Sequence, residues 1–211
     1  SGEANFLIDN SSGGTIDGNT AINVDAANIT TNSLLAQINN TSGVLGGDAT
    51  GNVTAANITT GGAFDSSILT PSAASIGGDA AINLTANTLS VGALTSLIES
   101  QSNGTIVGSA NINFNLTGDF TTQGDADIAI ENNIGGTIGS NAAVNITANN
   151  ISTGGNFSAR IMNPTTTNIG LYAAVNVSAA SILTVGTLNA AIVNATGTIG
   201  GSASLNLDLT G

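Results

Sequence analysis

Catalysis by side chains needs groups that move protons, attack as nucleophiles or hold metals, and this chain has few of them. It contains no His, no Cys and no Lys, and its one cation, Arg160, stands against 13 carboxylates for a net charge of −12. Ser-His and Cys-His nucleophiles and Lys Schiff bases are therefore excluded. Carboxylate pairs remain. Asp125 and Asp127, with Glu131 beyond them, have the spacing of neighbours on one strand, and such a pair can serve as general acid and base on a glycosidic bond. The other acids scatter, with Asp48 and Asp79 at one kind of corner and Asp25 and Asp208 far apart. The expectation is a solvated strand face and no enzyme.

Two acids invite a metal reading. Gly46-Gly47-Asp48 and Gly77-Gly78-Asp79 partly match the calcium-binding nonapeptide G-G-x-G-x-D, yet lack its later Gly and occur only twice. Calcium takes six or more oxygen ligands in one place. Turn geometry is the expected role, with Gly supplying positive φ and Asp tolerating it. No metal or cofactor is expected.

The remaining polar chemistry is amide and hydroxyl. An Asn recurs at Asn23, Asn52, Asn83, Asn113, Asn145, Asn176 and Asn206, with Thr54, Thr85, Thr147 and Ser178 two places after four of them. A second series runs Asn28/Thr30, Asn57/Thr59, Thr88/Ser90 and Asn150/Ser152. Stacked at a strand spacing of about 4.8 Å, Asn side chains can bond amide to amide, as in cross-β ladders. The plain reading is a stabilising zip. The alternative is a flat, uncharged receptor face for ice or a polysaccharide, with Thr54, Thr85, Thr147 and Ser178 in contact; Asp25, Asn115 and Asp208 interrupt its regularity. The Asn-x-Ser/Thr pattern occurs 14 times in the chain, about twice chance, which suggests glycosylation. Strand alternation alone generates the same excess.

These residues need a scaffold that repeats with them. The Asn spacings are 29, 31, 30, 32, 31 and 30, and an apolar anchor seven places earlier keeps step at Ile16, Leu45, Ile76, Ile106, Ile138, Ile169 and Ile199. Such a period marks an array of units that bury their apolar faces only against their neighbours. Around each Asn the chain alternates, as in Ile82-Asn83-Leu84-Thr85-Ala86, which predicts a half-buried strand. A short strand follows (Asn57-Ile58-Thr59-Thr60), then a Gly corner, then a third strand with Phe64 and Ile68, Leu94 and Ile98, Phe157 and Ile161, or Leu188 and Ile192 inward. The prediction is an all-β, right-handed parallel β-solenoid, a β-helix of about seven rungs of about 30 residues, three strands per rung. It forms one domain over 1–211, with Ile22, Val24, Ile82, Leu84, Phe114, Ile146 and Val177 inside. An inward Asn bonded to corner backbone is the alternative placement. Residues 52–68 return as 145–161, so three rungs form a larger duplicated unit.

Composition narrows the partners. Nucleic acid and anionic membranes require Lys and Arg, of which the chain has Arg160 alone. No apolar run approaches the roughly 20 residues of a membrane span. Pro71 and Pro164 fall at equivalent corners.

Phrases such as NITANNISTGGNFSARI and NNIGGTIGSNAAVNITA resemble the β-strand-repeat proteins of bacterial surfaces and, more distantly, the shafts of filamentous-haemagglutinin and autotransporter adhesins. The resemblance spans the whole chain and implies a right-handed β-helix, export, an extracellular or cell-surface location, and a structural or adhesive role. It carries over no catalytic residue. Residues 2–10 match 124–132, the second half of a rung, and 197–211 match the first half of the same type. With no cap at either end, head-to-tail self-association into a fibre is expected.

Overall fold

The computed structural model describes residues 2–164 and 166–211; Ser1 and Thr165 of the predicted 1–211 domain lie outside them. Over the described residues, 25 strands and no helix form three parallel sheets, stacked as a β-solenoid of about seven turns. No helix is therefore long and apolar enough to cross a membrane. Each residue pairs with its equivalent one rung on, as in Asn52↔Asn83 and Asn83↔Asn113. Parallel sheets are usually buried on both faces. Here one face lines the core and the other meets solvent, which is why the strands alternate.

The three faces are as expected, but their strand content differs. The Asn strand and the Asn-Ile-Thr strand after it belong to one 11-stranded sheet. In the first two rungs they are continuous, Thr20–Thr31 and Ala49–Thr60; from the third rung they separate, as Ala80–Ala86 and Thr88–Val91. Ala55 and Ile58 both point inward with Ala56 and Asn57 exposed between them, so alternation slips by one residue and the strand bends without losing its pairing. The strands carrying Phe64 and Ile68 form a second sheet. The anchor residues form the third, in two-residue strands from Thr15–Ile16 to Thr198–Ile199. Where the bend is open, a rung has four segments rather than three. Two residues are too few to display a period, so the third face is invisible to alternation.

The core is a set of columns. One is Ile throughout: Ile8, Ile38, Ile68, Ile98, Ile130, Ile161 and Ile192. Ile22, Ile82, Leu84, Phe114, Ile146 and Val177 are buried as predicted, and Val24, near the first rung's open side, is half-buried. Differences in rung length fall at corners. Both extra residues of the 32-residue spacing lie there, between Leu116 and Phe120 and between Thr122 and Ala126.

Candidate functional site

Alternation turns the repeated Asn outward, and parallel register sets each over the last. Six bonds then join seven rungs: Asn52 Nδ2 donates to Asn23 Oδ1 (2.7 Å), Asn83 to Asn52 (2.8 Å) and Asn113 to Asn83 (2.9 Å). Asn145 donates to Asn113 (2.9 Å), Asn176 to Asn145 (2.8 Å) and Asn206 to Asn176 (2.6 Å). The inward placement of these Asn is thereby excluded. Thr54, Thr85 and Thr147 are exposed on the same face, and Ser178 is half-buried.

The second outer series behaves alike. Asn57 donates to Asn28 (2.8 Å), Thr88 Oγ1 to Asn57 (2.7 Å) and Ser181 Oγ to Asn150 (2.7 Å). Asp119 fills the column in the fourth rung and accepts from Asn150 (2.9 Å) and Asn149 (3.1 Å), which hold its carboxyl below the usual range. Asn52, Asn57, Asn83, Asn145, Asn150 and Asn176 thus engage, between rungs, the Nδ2 that a glycan would modify. Their Ser/Thr at the second following position is a product of the pleat.

A third amide column lies inside, and sequence reasoning missed it. Two residues after the Ile column come Asn10, Asn40, Thr70, Ser100, Asn132, Asn163 and Asn194, of which Asn40, Thr70, Asn132 and Asn163 are fully buried. Asn163 Nδ2 donates to Asn194 Oδ1 (2.8 Å) and to Thr198 O (3.1 Å), and Asn132 likewise to Asn163 (2.8 Å) and Asn168 O (3.1 Å). The carbonyls that accept, Asn168 O and Thr198 O, open the two-residue strands Asn168–Ile169 and Thr198–Ile199, so each buried amide ties its own column to the anchor sheet. These amides donate toward the C-terminus, whereas the outer Asn ladder donates toward the N-terminus. Ser100 breaks the column by turning its hydroxyl to Gly104 O (2.8 Å), which leaves Asn132 Oδ1 without a donor. The signal was available as a polar residue always two places after an inward Ile.

The Gly-Gly-Asp corners have a different cause from the one expected. None of Gly46, Gly47, Gly77 and Gly78 has positive φ. A Cβ on Gly77 would run into Gly46 O of the preceding rung, and one on Gly78 into Asp48 Oδ1, so close stacking demands Gly. Asp48 Oδ1 accepts the Asp79 N–H (2.9 Å), and Asp79 Oδ1 accepts the Ser109 N–H (2.7 Å). The carboxylates act as rung-to-rung acceptors.

The acids of the fourth rung are less scattered than they look in the sequence. Asp125 precedes the strand Ala126–Asn133 and accepts the Asn156 N–H (2.6 Å) at the corner, so it does not pair with Asp127. Asp127 and Glu131 instead meet Arg160 of the next rung. Its guanidinium bonds both Asp127 oxygens, Glu131 Oε1 (2.9 Å) and Ser158 Oγ (2.9 Å). Burial works against its charge, but the bonds to Asp127 and Glu131 prevail and hold it more firmly protonated than usual. Glu99 lies one rung back, between Leu69 and Glu131. Burial, and then the Glu131 charge, push the Glu99 carboxyl up.

That shift has a measurable sign. A carboxyl raised in the folded state lends stability at acid pH that is lost as pH rises through its folded pKa. Around Glu99 stand the charges of Glu131, Asp127 and Arg160, with Asp65, itself pushed up by burial, further along the sheet. Glu99→Gln should unfold at higher urea than the parent at about pH 7, with the gap narrowing toward about pH 4. Equal midpoints at both pH values would contradict the assignment.

Comparison with known protein families, with curated proteins and with solved structures finds no match for the chain.

Proposed function

We propose that this chain is a structural solenoid segment, exported to the cell surface or beyond, whose rungs stack on like rungs to form a fibre or the shaft of an adhesin. The observation that carries the reading is the outer Asn ladder, unbroken through seven rungs of differing sequence. Each rung templates the next with the same geometry. Length variation kept to the corners and apolar columns kept in type support it further. Leu205, Leu207 and Leu209 continue the columns of Val175, Val177 and Ala179 to the face of the last rung. A like rung docking there, from the same chain or from a second copy, extends ladder and core together, and a head-to-tail contact of that kind gives an open fibre. Kinship with bacterial β-strand-repeat and adhesin-shaft proteins, and with it the location, rests on the sequence resemblance.

Sedimentation and electron microscopy of the purified chain test the reading. The expected result is concentration-dependent growth into fibres one solenoid wide. A concentration-independent monomer without fibres would overturn head-to-tail association. Thr54→Lys, Thr85→Lys and Thr147→Lys combined should leave assembly nearly unchanged, because these side chains lie on a lateral face. Assembly lost in that variant would make the lateral face the contact instead.

A further inference from the structure

On the outer face of the 11-stranded sheet, a groove of about 300 Å³ runs along the axis across the last three rungs. Its walls are Asn145, Thr147, Asn176, Ser178, Asn206 and Asp208, and its floor is the backbone at Ile146 and Val177. The side chains of those two floor residues are buried on the core side. The groove therefore presents two polar rows with the rung spacing of about 4.8 Å, amides in one and hydroxyls ending in a carboxylate in the other. Each ladder amide has two protons and two lone pairs; the ladder takes one of each from Asn145 and Asn176, and one proton from Asn206. Among the described residues, the hydroxyls of Thr147 and Ser178 and the carboxylate of Asp208 meet no protein partner, so they are free to bond a ligand.

The chemistry of the lining selects its occupant. An anionic ligand is disfavoured by Asp208 and by a net charge of −12, and the only cation, Arg160, bonds Asp127 and Glu131 on another sheet. A peptide strand would need free backbone groups, but those of Ala142–Thr147 and Ala173–Ala179 are paired on both sides. An apolar ligand would cover the carbon surface that makes up most of the lining, but it would strip water from the amides and hydroxyls without replacing their bonds. We infer that the groove binds a neutral, hydroxyl-rich glycan lying along the solenoid axis, with Asp208 accepting bonds from neighbouring sugar hydroxyls. No aromatic ring lines the groove, so binding rests on hydrogen bonds, each of which replaces a bond to water and adds little net affinity. Affinity is accordingly weak and selective for uncharged chains.

The test is calorimetric titration of the whole chain with three neutral hexasaccharides, of β-linked glucose, xylose and N-acetylglucosamine, and with oligogalacturonate as the anionic comparison. At least one neutral chain should bind in the millimolar range while oligogalacturonate does not. Ser178→Leu, which fills the groove from its outer wall, should weaken binding about tenfold or more, and Asp208→Asn about threefold. Thr85→Leu, at the equivalent place two rungs before the groove, should leave binding unchanged. Circular dichroism confirms that each variant keeps the fold. No binding by any neutral chain, equal binding of oligogalacturonate, or an equal loss in Thr85→Leu would overturn the groove assignment. None of these outcomes bears on fibre formation, which is read by sedimentation.

Discussion

Ile146→Asp should abolish the cooperative unfolding transition or lower stability by about 4–5 kcal/mol or more. Ile146 is 1% exposed, in a column that reads Val24, Val53, Leu84, Phe114, Ile146, Val177 and Leu207. Its partners in the rungs on either side, Phe114 and Val177, are apolar and buried. A charge there is unpaired and desolvated, and its alternative, protonation, carries its own cost at neutral pH. A solenoid magnifies the damage, because each rung is held only by the rungs beside it. Ile146→Val, which copies the residue of the next rung, should cost only about 0.5–1.5 kcal/mol. Urea denaturation followed by circular dichroism separates the two. An Asp variant within about 1 kcal/mol of the parent would mean that the column is wet, and the packing described above would be wrong.

The columns were legible because a parallel register leaves a direct mark on the sequence. A residue that stacks on its own equivalent must recur at the rung period, and the Asn and Ile anchors do. Alternation then fixes inside and outside, so Asn83 and Leu84 could be assigned to opposite faces from five residues of sequence. The third sheet was not legible as a sheet, since Thr105–Ile106 and its equivalents are pairs with no period of their own. The anchor Ile was visible; the strand it belongs to was not.

What failed to show were contacts between unlike residues of adjacent rungs. Arg160 reaches back 33 residues to Asp127 and 29 to Glu131, spacings that straddle the period, so the three read as unrelated charges. The buried amides of Asn132 and Asn163 were hidden for another reason. Asn is ordinarily a surface or turn residue, and here it completes a strand whose inward positions are otherwise apolar. Here, however, the amide donates twice, to the next amide of its column and to a carbonyl that opens an anchor strand, and a hydroxyl could donate only once. The Gly-Gly-Asp corners show a third limit. Gly was read as a φ signal, whereas its role is the approach of one rung to the next, which depends on three-dimensional stacking.

Phe120→Ala should cost about 3–5 kcal/mol, and Phe120→Leu about 1 kcal/mol. The Phe120 ring is fully buried and packs between two others. Its centroid lies 6.4 Å from Phe114 at 59° and 6.2 Å from Phe157 at 68°, tilted and edge-on arrangements that aromatic pairs favour. Removing the ring leaves a cavity that the surroundings cannot close, because Leu89 and Ile151 above and below are held by main-chain pairing at the rung spacing. Leu restores most of the volume. It is also the residue of the preceding rung, in a column that otherwise reads Ile29, Ile58, Leu89, Ile151 and Ile182. If rungs are interchangeable templates, as the fibre reading requires, a side chain borrowed from the adjacent rung must be tolerated. Equal losses for Ala and Leu in urea melts would show instead that the fourth rung, with its extra residue at each of two corners, is shaped around its own ring.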